Sequence, residues 1–231
     1  MKIFSIISLA VILAFAAPSA FAAESVPELK SAAEAAVKIA LAAPGDYEAN
    51  WKASKALRSY GDEAVSQEVT GWKEIAKSVG KDGMKFGEIA TKLKPEGIEG
   101  WYYYGLSVGV YSDGVSIVTA ITEGLKGKTQ KGFEMAYAKD KMYDKGGPIL
   151  ALGRFWQVLP SIAGRDTKKA QKLFEEYIAL FSSDPDMGSS VWYYRGQLLK
   201  DAGKVAEAKA DLQKAAGMGN KAAAKLLAGM K

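Results

Sequence analysis

Three stretches of this chain place bulky aromatics beside a glycine inside a helical pattern. They are Trp101-Tyr102-Tyr103-Tyr104-Gly105, Leu152-Gly153-Arg154-Phe155-Trp156 and Trp192-Tyr193-Tyr194-Arg195-Gly196. A glycine inside a helix costs roughly 1 kcal/mol relative to alanine. Its use beside a large ring therefore points to close helix–helix approach, with the ring filling the space around it. Each stretch is followed by a second helical segment with small residues at regular spacing, and helix hairpins are the economical way to pair such segments.

The hairpins have a recognisable register. In a tetratricopeptide repeat of about 34 residues, the first helix reads large, small, bulky, and the second reads small, large, small. The last unit fits without a gap: Trp192, Gly196 and Leu199, then Ala208, Leu212 and Ala215. Gly105, Gly153 and Gly196 are 48 and 43 residues apart, so both middle intervals carry insertions. Trp101, Gly105 and Val108 fit the first helix of one unit, and an extra helix is expected before its small residue Ala138. Gly153 and Trp156 fit the next, followed by a loop and then Ala170, Phe174 and Tyr177. The earliest unit pairs Trp51 with a distant second helix around Gly83, Gly87 and Ala90. The predicted fold is all-α, a tetratricopeptide-repeat-like helix-hairpin superhelix with insertions.

Local signals mark the helices. Ser25-Val26-Pro27-Glu28 is a capping box opening a helix over 26–43. Asp46 caps the next, which Gly61-Asp62 is expected to weaken or end. Trp72, Ile75, Ala76, Val79, Phe86, Ala90 and Leu93 share one face of a long helix, closed by Lys94-Pro95. A helix over 99–111 meets a turn at Ser112-Asp113-Gly114. Helices over 115–125 and 129–142 follow, then a loop at Asp144-Lys145-Gly146-Gly147-Pro148. Pro148 sits in the first turn of a helix through Val158. Asp166 caps a helix over 167–181, and helices over 191–202, 205–216 and 221–230 complete the chain. No alternating strand run bounded by turns is present.

Composition narrows the chemistry. Cysteine and histidine are both absent, which removes His or Cys metal sites, Ser-His-Asp triads, thiol catalysis and a lipidated cysteine. No loop has EF-hand spacing, and no cofactor is expected. The formal net charge is +5, but the signs are interleaved along the chain, so nucleic acid is not an expected partner. Lys2, an apolar run over 3–17 and Pro18-Ser19-Ala20-Phe21-Ala22 read as a signal peptide cut after Ala22. That predicts residues 1–22 as signal peptide and 23–231 as a single repeat domain, exported to the periplasm without a membrane anchor.

Three segments carry a family resemblance: Trp51-Lys52-Ala53-Ser54-Lys55-Ala56, Trp101 to Gly105, and Gly146-Gly147-Pro148-Ile149-Leu150-Ala151-Leu152-Gly153-Arg154-Phe155. They resemble the T-component (TatT) family of TRAP transporters and, more distantly, the regulators of microtubule dynamics. The resemblance spans about residues 46–216. It implies a periplasmic helical-repeat protein that associates with a TRAP substrate-binding protein and has a cavity for a hydrophobic ligand.

Repeat arrays bind in the groove lined by their first helices. The groove-facing register selects Tyr102 in one unit, Arg154 and Gln157 in the next, and Tyr193, Gln197 and Lys200 in the last. Tyrosine offers wide contact area and arginine a forked donor for carboxylates. The expected function is a scaffold binding a partner protein and a small hydrophobic or carboxylate ligand, with Arg154 pairing to Asp144 as the structural alternative for that residue. Two other functional readings compete: a purely architectural repeat, and a hydrolase using Glu175, Glu176 and Asp184. The hydrolase requires a carboxylate buried in a pocket with a raised pKa.

Overall fold

The structure, a computed structural model, describes residues 25–184 and 187–230. The expected signal peptide and its cut after Ala22 lie outside the described residues. Among the described residues eleven α-helices follow one another: α1 (Val26–Ala42), α2 (Tyr47–Ser66), α3 (Trp72–Leu93), α4 (Ile98–Gly114), α5 (Ile117–Thr122), α6 (Leu125–Asp140), α7 (Tyr143–Val158), α8 (Thr167–Phe181), α9 (Ser190–Asp201), α10 (Val205–Gly217) and α11 (Lys221–Ala228). A 3-10 turn, Ser161–Ala163, lies between α7 and α8, and there is no strand among the described residues. No helix among them is long and apolar enough to cross a membrane.

The caps act as the sequence predicts. Glu28 accepts from the Ser25 backbone N–H at 2.7 Å and its hydroxyl at 2.8 Å, closing the first turn of α1. Asp46 accepts from the Ala49 N–H at 2.8 Å, and Asp166 from the Lys169 N–H at 2.9 Å. Such caps each contribute about 1 kcal/mol.

Hairpins α2/α3, α4/α6, α7/α8 and α9/α10 stack in sequence, with α1 against α2 and α11 against α10. Glycines set the spacing. A Cβ on Gly80 would lie 2.6 Å from the Tyr111 Cα, and one on Gly87 2.8 Å from the Tyr104 Cα. One on Gly153 would meet Phe174 Cε1 at 2.7 Å, and one on Gly196 would meet Leu212 Cγ at 2.8 Å. The large–small register predicted for the last unit is therefore the actual packing of α9 on α10. This is an all-α, tetratricopeptide-repeat-like superhelix with insertions.

Several local expectations are corrected. Gly61-Asp62 does not end α2: a Cβ on Gly61 would lie 2.5 Å from Val110 Cγ1, so its glycine serves packing against α4 rather than a break. Nor does α4 stop at Ser112; the Ser112 hydroxyl donates to the Val108 carbonyl at 2.8 Å, and Gly114 packs against the Lys73–Lys77 turn of α3. The helix expected over 115–125 is only α5, capped by Ser116, and α6 begins earlier because Leu125 is buried as its first residue. The small residues of α6 that meet α4 are Gly132 and Ala136; Ala138 is exposed. The predicted loop at 144–148 is a run of left-handed residues, Asp144 (φ 49°), Lys145 (φ 53°) and Gly146 (φ 78°), after which Pro148 enters regular helix.

Candidate functional site

Four first helices of hairpins (α2, α4, α7 and α9), with α6, line a half-open cavity of about 1410 Å³. Its walls are apolar, from Leu106 and Val110 on α4, Phe133 on α6, and Leu150, Ala151 and Phe155 on α7. Its rim comes from the two insertions. Val115, Ile117 and Ile121 rise from the α4–α6 connection, and Pro160 and Ile162 from the α7–α8 connection. These rim residues expose their apolar surface: Ile117 is 53% exposed, Ile121 59% and Ile162 86%. The residues that lengthen the repeat beyond its usual period are thus the residues that deepen the groove into a half-open hollow.

One part of the wall is charged. Arg58 and Asp62 form an ion pair along one turn of α2, at 2.5 Å. The Arg58 Nε is buried and finds no acceptor among the described residues. Tyr102 lines the cavity but is nearly buried, its hydroxyl against Gly147 and near Asp144. Burial first, then the Asp144 carboxylate, raises its phenol above the usual range. Asp113, in the last turn of α4, is exposed by area but opens onto the lumen. It is desolvated by the surrounding protein, and Asp62 repels its charge, so its pKa is pushed up to about 6 despite Arg154.

Arg154 is held in place by its neighbours. Its Nη1 donates to Gln157 Oε1 at 3.0 Å and Gln197 Oε1 at 2.8 Å, and its guanidinium lies 4.7 Å from the centre of the Tyr194 ring. Gln157 Nε2 donates to the Tyr194 carbonyl at 2.8 Å, and Gln197 Nε2 to the Tyr193 hydroxyl at 2.8 Å. The expected pairing of Arg154 with Asp144 does not form; neutral amides hold it instead. Burial lowers the Arg154 pKa, as expected for a guanidinium with no carboxylate in contact.

Of the six residues selected by register, Tyr102 and Arg154 line the cavity. Gln157, Tyr193 and Gln197 form the chain that orients Arg154 from behind. Lys200 is exposed near the end of α9, outside both the cavity and this chain. The sequence reading missed Arg58, Asp62, Asp113 and Tyr194. The Arg58–Asp62 spacing of four on α2 was the available signal for the first pair; Asp113 was masked by its turn-like neighbours. The acids of the hydrolase reading lie elsewhere. Glu175 is exposed, and Glu176 accepts from Tyr137 at 2.8 Å and Lys141 at 2.7 Å; neither lines the cavity, nor does Asp184. No group of three acidic side chains among the described residues could hold a metal ion.

No family model matches the sequence, and no curated protein matches it. Solved structures do. A thermophilic TPR protein of Thermus thermophilus superposes with a TM-score of 0.63 at 13% identity, covering 89% of this chain and 91% of that one. The crystal structure of MamA superposes with a TM-score of 0.51 at 17% identity, covering 85% of this chain and 92% of that one. At such identities the likeness defines the fold: this is a TPR-like protein.

Proposed function

We propose that the chain is a repeat scaffold that holds a small apolar ligand in its inner cavity and presents it to a partner protein. One observation carries the reading: a half-open hollow of about 1410 Å³ has a largely apolar wall, with both insertions at its mouth, and it is larger than the roughly 300–1,000 Å³ of usual small-molecule sites. A purely architectural repeat has no need to expose Ile117, Ile121 and Ile162 around such a space. The finer proposal places this scaffold in the periplasm, as an accessory to a TRAP-type transporter. Its support is the resemblance of the segment from Gly146 to Phe155 to the T-component family, because that same segment supplies Gly147, Arg154 and Phe155 to the cavity wall.

Calorimetric titration with twelve-carbon amphiphiles tests the cavity. Saturable binding that Leu106→Asp weakens, by placing an unpaired charge on the apolar wall, supports it; no uptake by the folded protein sinks it. The transport role has a separate test. A TRAP substrate-binding protein from the same cell should associate with this chain in solution, and failure to associate removes that role while leaving the cavity intact.

A further inference from the structure

We infer that the cavity selects a zwitterionic amphiphile, its ammonium on Asp113, its acid group on Arg154 and its chain among the apolar walls. The inference rests on the cavity reading above and adds the chemistry of the ligand's head. Asp113 makes no hydrogen bond or ion pair with any described residue, and yet it lines the lumen. Arg154 lines the same lumen, and its hydrogen bonds within the described residues all run through Nη1 to neutral amides. The two feel each other's charge, but no ion pair joins them. They are opposite charges from two helices, α4 and α7, that line one cavity without pairing.

The remaining charges around them explain why a singly charged ligand fits poorly. Asp62 is already paired with Arg58, and Asp144 stands beside Tyr102. Lys126 stands at the rim beside Gly164. An anion alone would satisfy Arg154 but face Asp113 and Asp62. A cation alone would satisfy Asp113 but face Arg154 and Arg58. Arg154 is desolvated while Asp113 keeps contact with water; an unmatched charge brought against like charges there is costly, so a ligand supplying both signs leaves the least unpaired.

The test keeps the chain constant and changes only the head. Dodecanoic acid, dodecylammonium, 2-aminododecanoic acid and dodecyl phosphoethanolamine are titrated into the protein at neutral pH. The zwitterions should bind at least about tenfold tighter than either singly charged compound, a difference of about 1.4 kcal/mol. Whichever zwitterion binds tighter identifies the acid group as carboxylate or phosphate. In Asp113→Asn, dodecanoic acid should rise to within about threefold of 2-aminododecanoic acid. In Arg154→Gln, dodecylammonium should do the same, while Arg154→Lys retains part of the preference if the charge is what matters; circular dichroism confirms that each variant is folded. Equal binding of all four heads, or an unchanged ranking in a folded Asp113→Asn protein, overturns the inference and leaves the apolar cavity standing. Binding of none of them overturns the cavity reading, and the inference with it.

Discussion

Gly127 and Gly132 lie on the same helix and should respond in opposite directions to the same substitution. A Cβ on Gly132 would lie 2.7 Å from the Gly105 Cα and 2.9 Å from its nitrogen, backbone atoms that cannot step aside. Gly132→Ala should therefore lower stability by about 2 kcal/mol. Gly127 has open space where its Cβ would go, so Gly127→Ala should raise stability by about 0.5–1 kcal/mol. Urea unfolding of the two variants measures both, and a shared sign would mean that α4 and α6 are not packed this closely. Asp113 makes a prediction in pH. Its folded pKa, about 6, stands above its ordinary 3.8, so the native chain keeps a proton that the unfolded chain has released. The stability this confers is complete below about pH 4 and is lost as pH rises through about 6. Asp62 from α2, its own pKa raised by burial, and Arg154 from α7 are the charges that act on it. Asp113→Asn should flatten this part of the profile and exceed wild type at pH 8 by on the order of 1 kcal/mol, after allowance for screening by lumen water. Thermal melts at pH 4.5 and 8 would show it; equal effects at both would contradict it. The sequence could not reveal this carboxylate, because its surroundings come from α2 and α7, both far from it along the chain.

Glycine-to-aromatic spacing was legible wherever a whole hairpin lay within a short stretch. Trp192, Gly196, Ala208 and Leu212 could be registered because α9 and α10 are adjacent and their turn is short. The reading failed where a local breaker was overruled by a distant partner. Gly61 and Gly114 look like helix stops in isolation, yet each is a docking surface for another helix. α5 was legible as an extra helix but not as a wall, since its six residues bury nothing. Its contribution lies in the cavity rather than in stability. The double variant Ile117→Ser with Ile121→Ser should leave unfolding within about 0.5 kcal/mol of wild type. It should also weaken binding of a dodecyl probe about tenfold, because the rim would no longer cover the probe with apolar surface. A large loss of stability in that variant would instead make α5 part of the core.

At the scale of the molecule, the apolar residues form separate clusters. A large one runs from Phe133 through α7–α11, and smaller ones occupy the α1–α3 end and the α4 region. Repeat arrays of this kind are stabilised mainly between neighbours, but the cavity touches α2, α4, α6, α7 and α9 together. A ligand there links hairpins that are not adjacent. At a hundredfold excess over its dissociation constant it should add about 2.7 kcal/mol to stability. Hydrogen exchange should slow in α4, α5 and α7 and stay unchanged in α1 and α11; protection confined to one hairpin would contradict a site shared among them. The hairpins α2/α3 and α9/α10 turn tightly, whereas α4/α6 and α7/α8 carry the extra residues, and both insertions join the first helix of a hairpin to its second. Lengthening such a connection costs only about 0.6 kcal/mol per doubling. Residues that stack the array are therefore distinct from residues that frame its mouth, and a lineage could exchange one cargo for another by editing two short segments while the glycines that fix the helix spacing stay as they are.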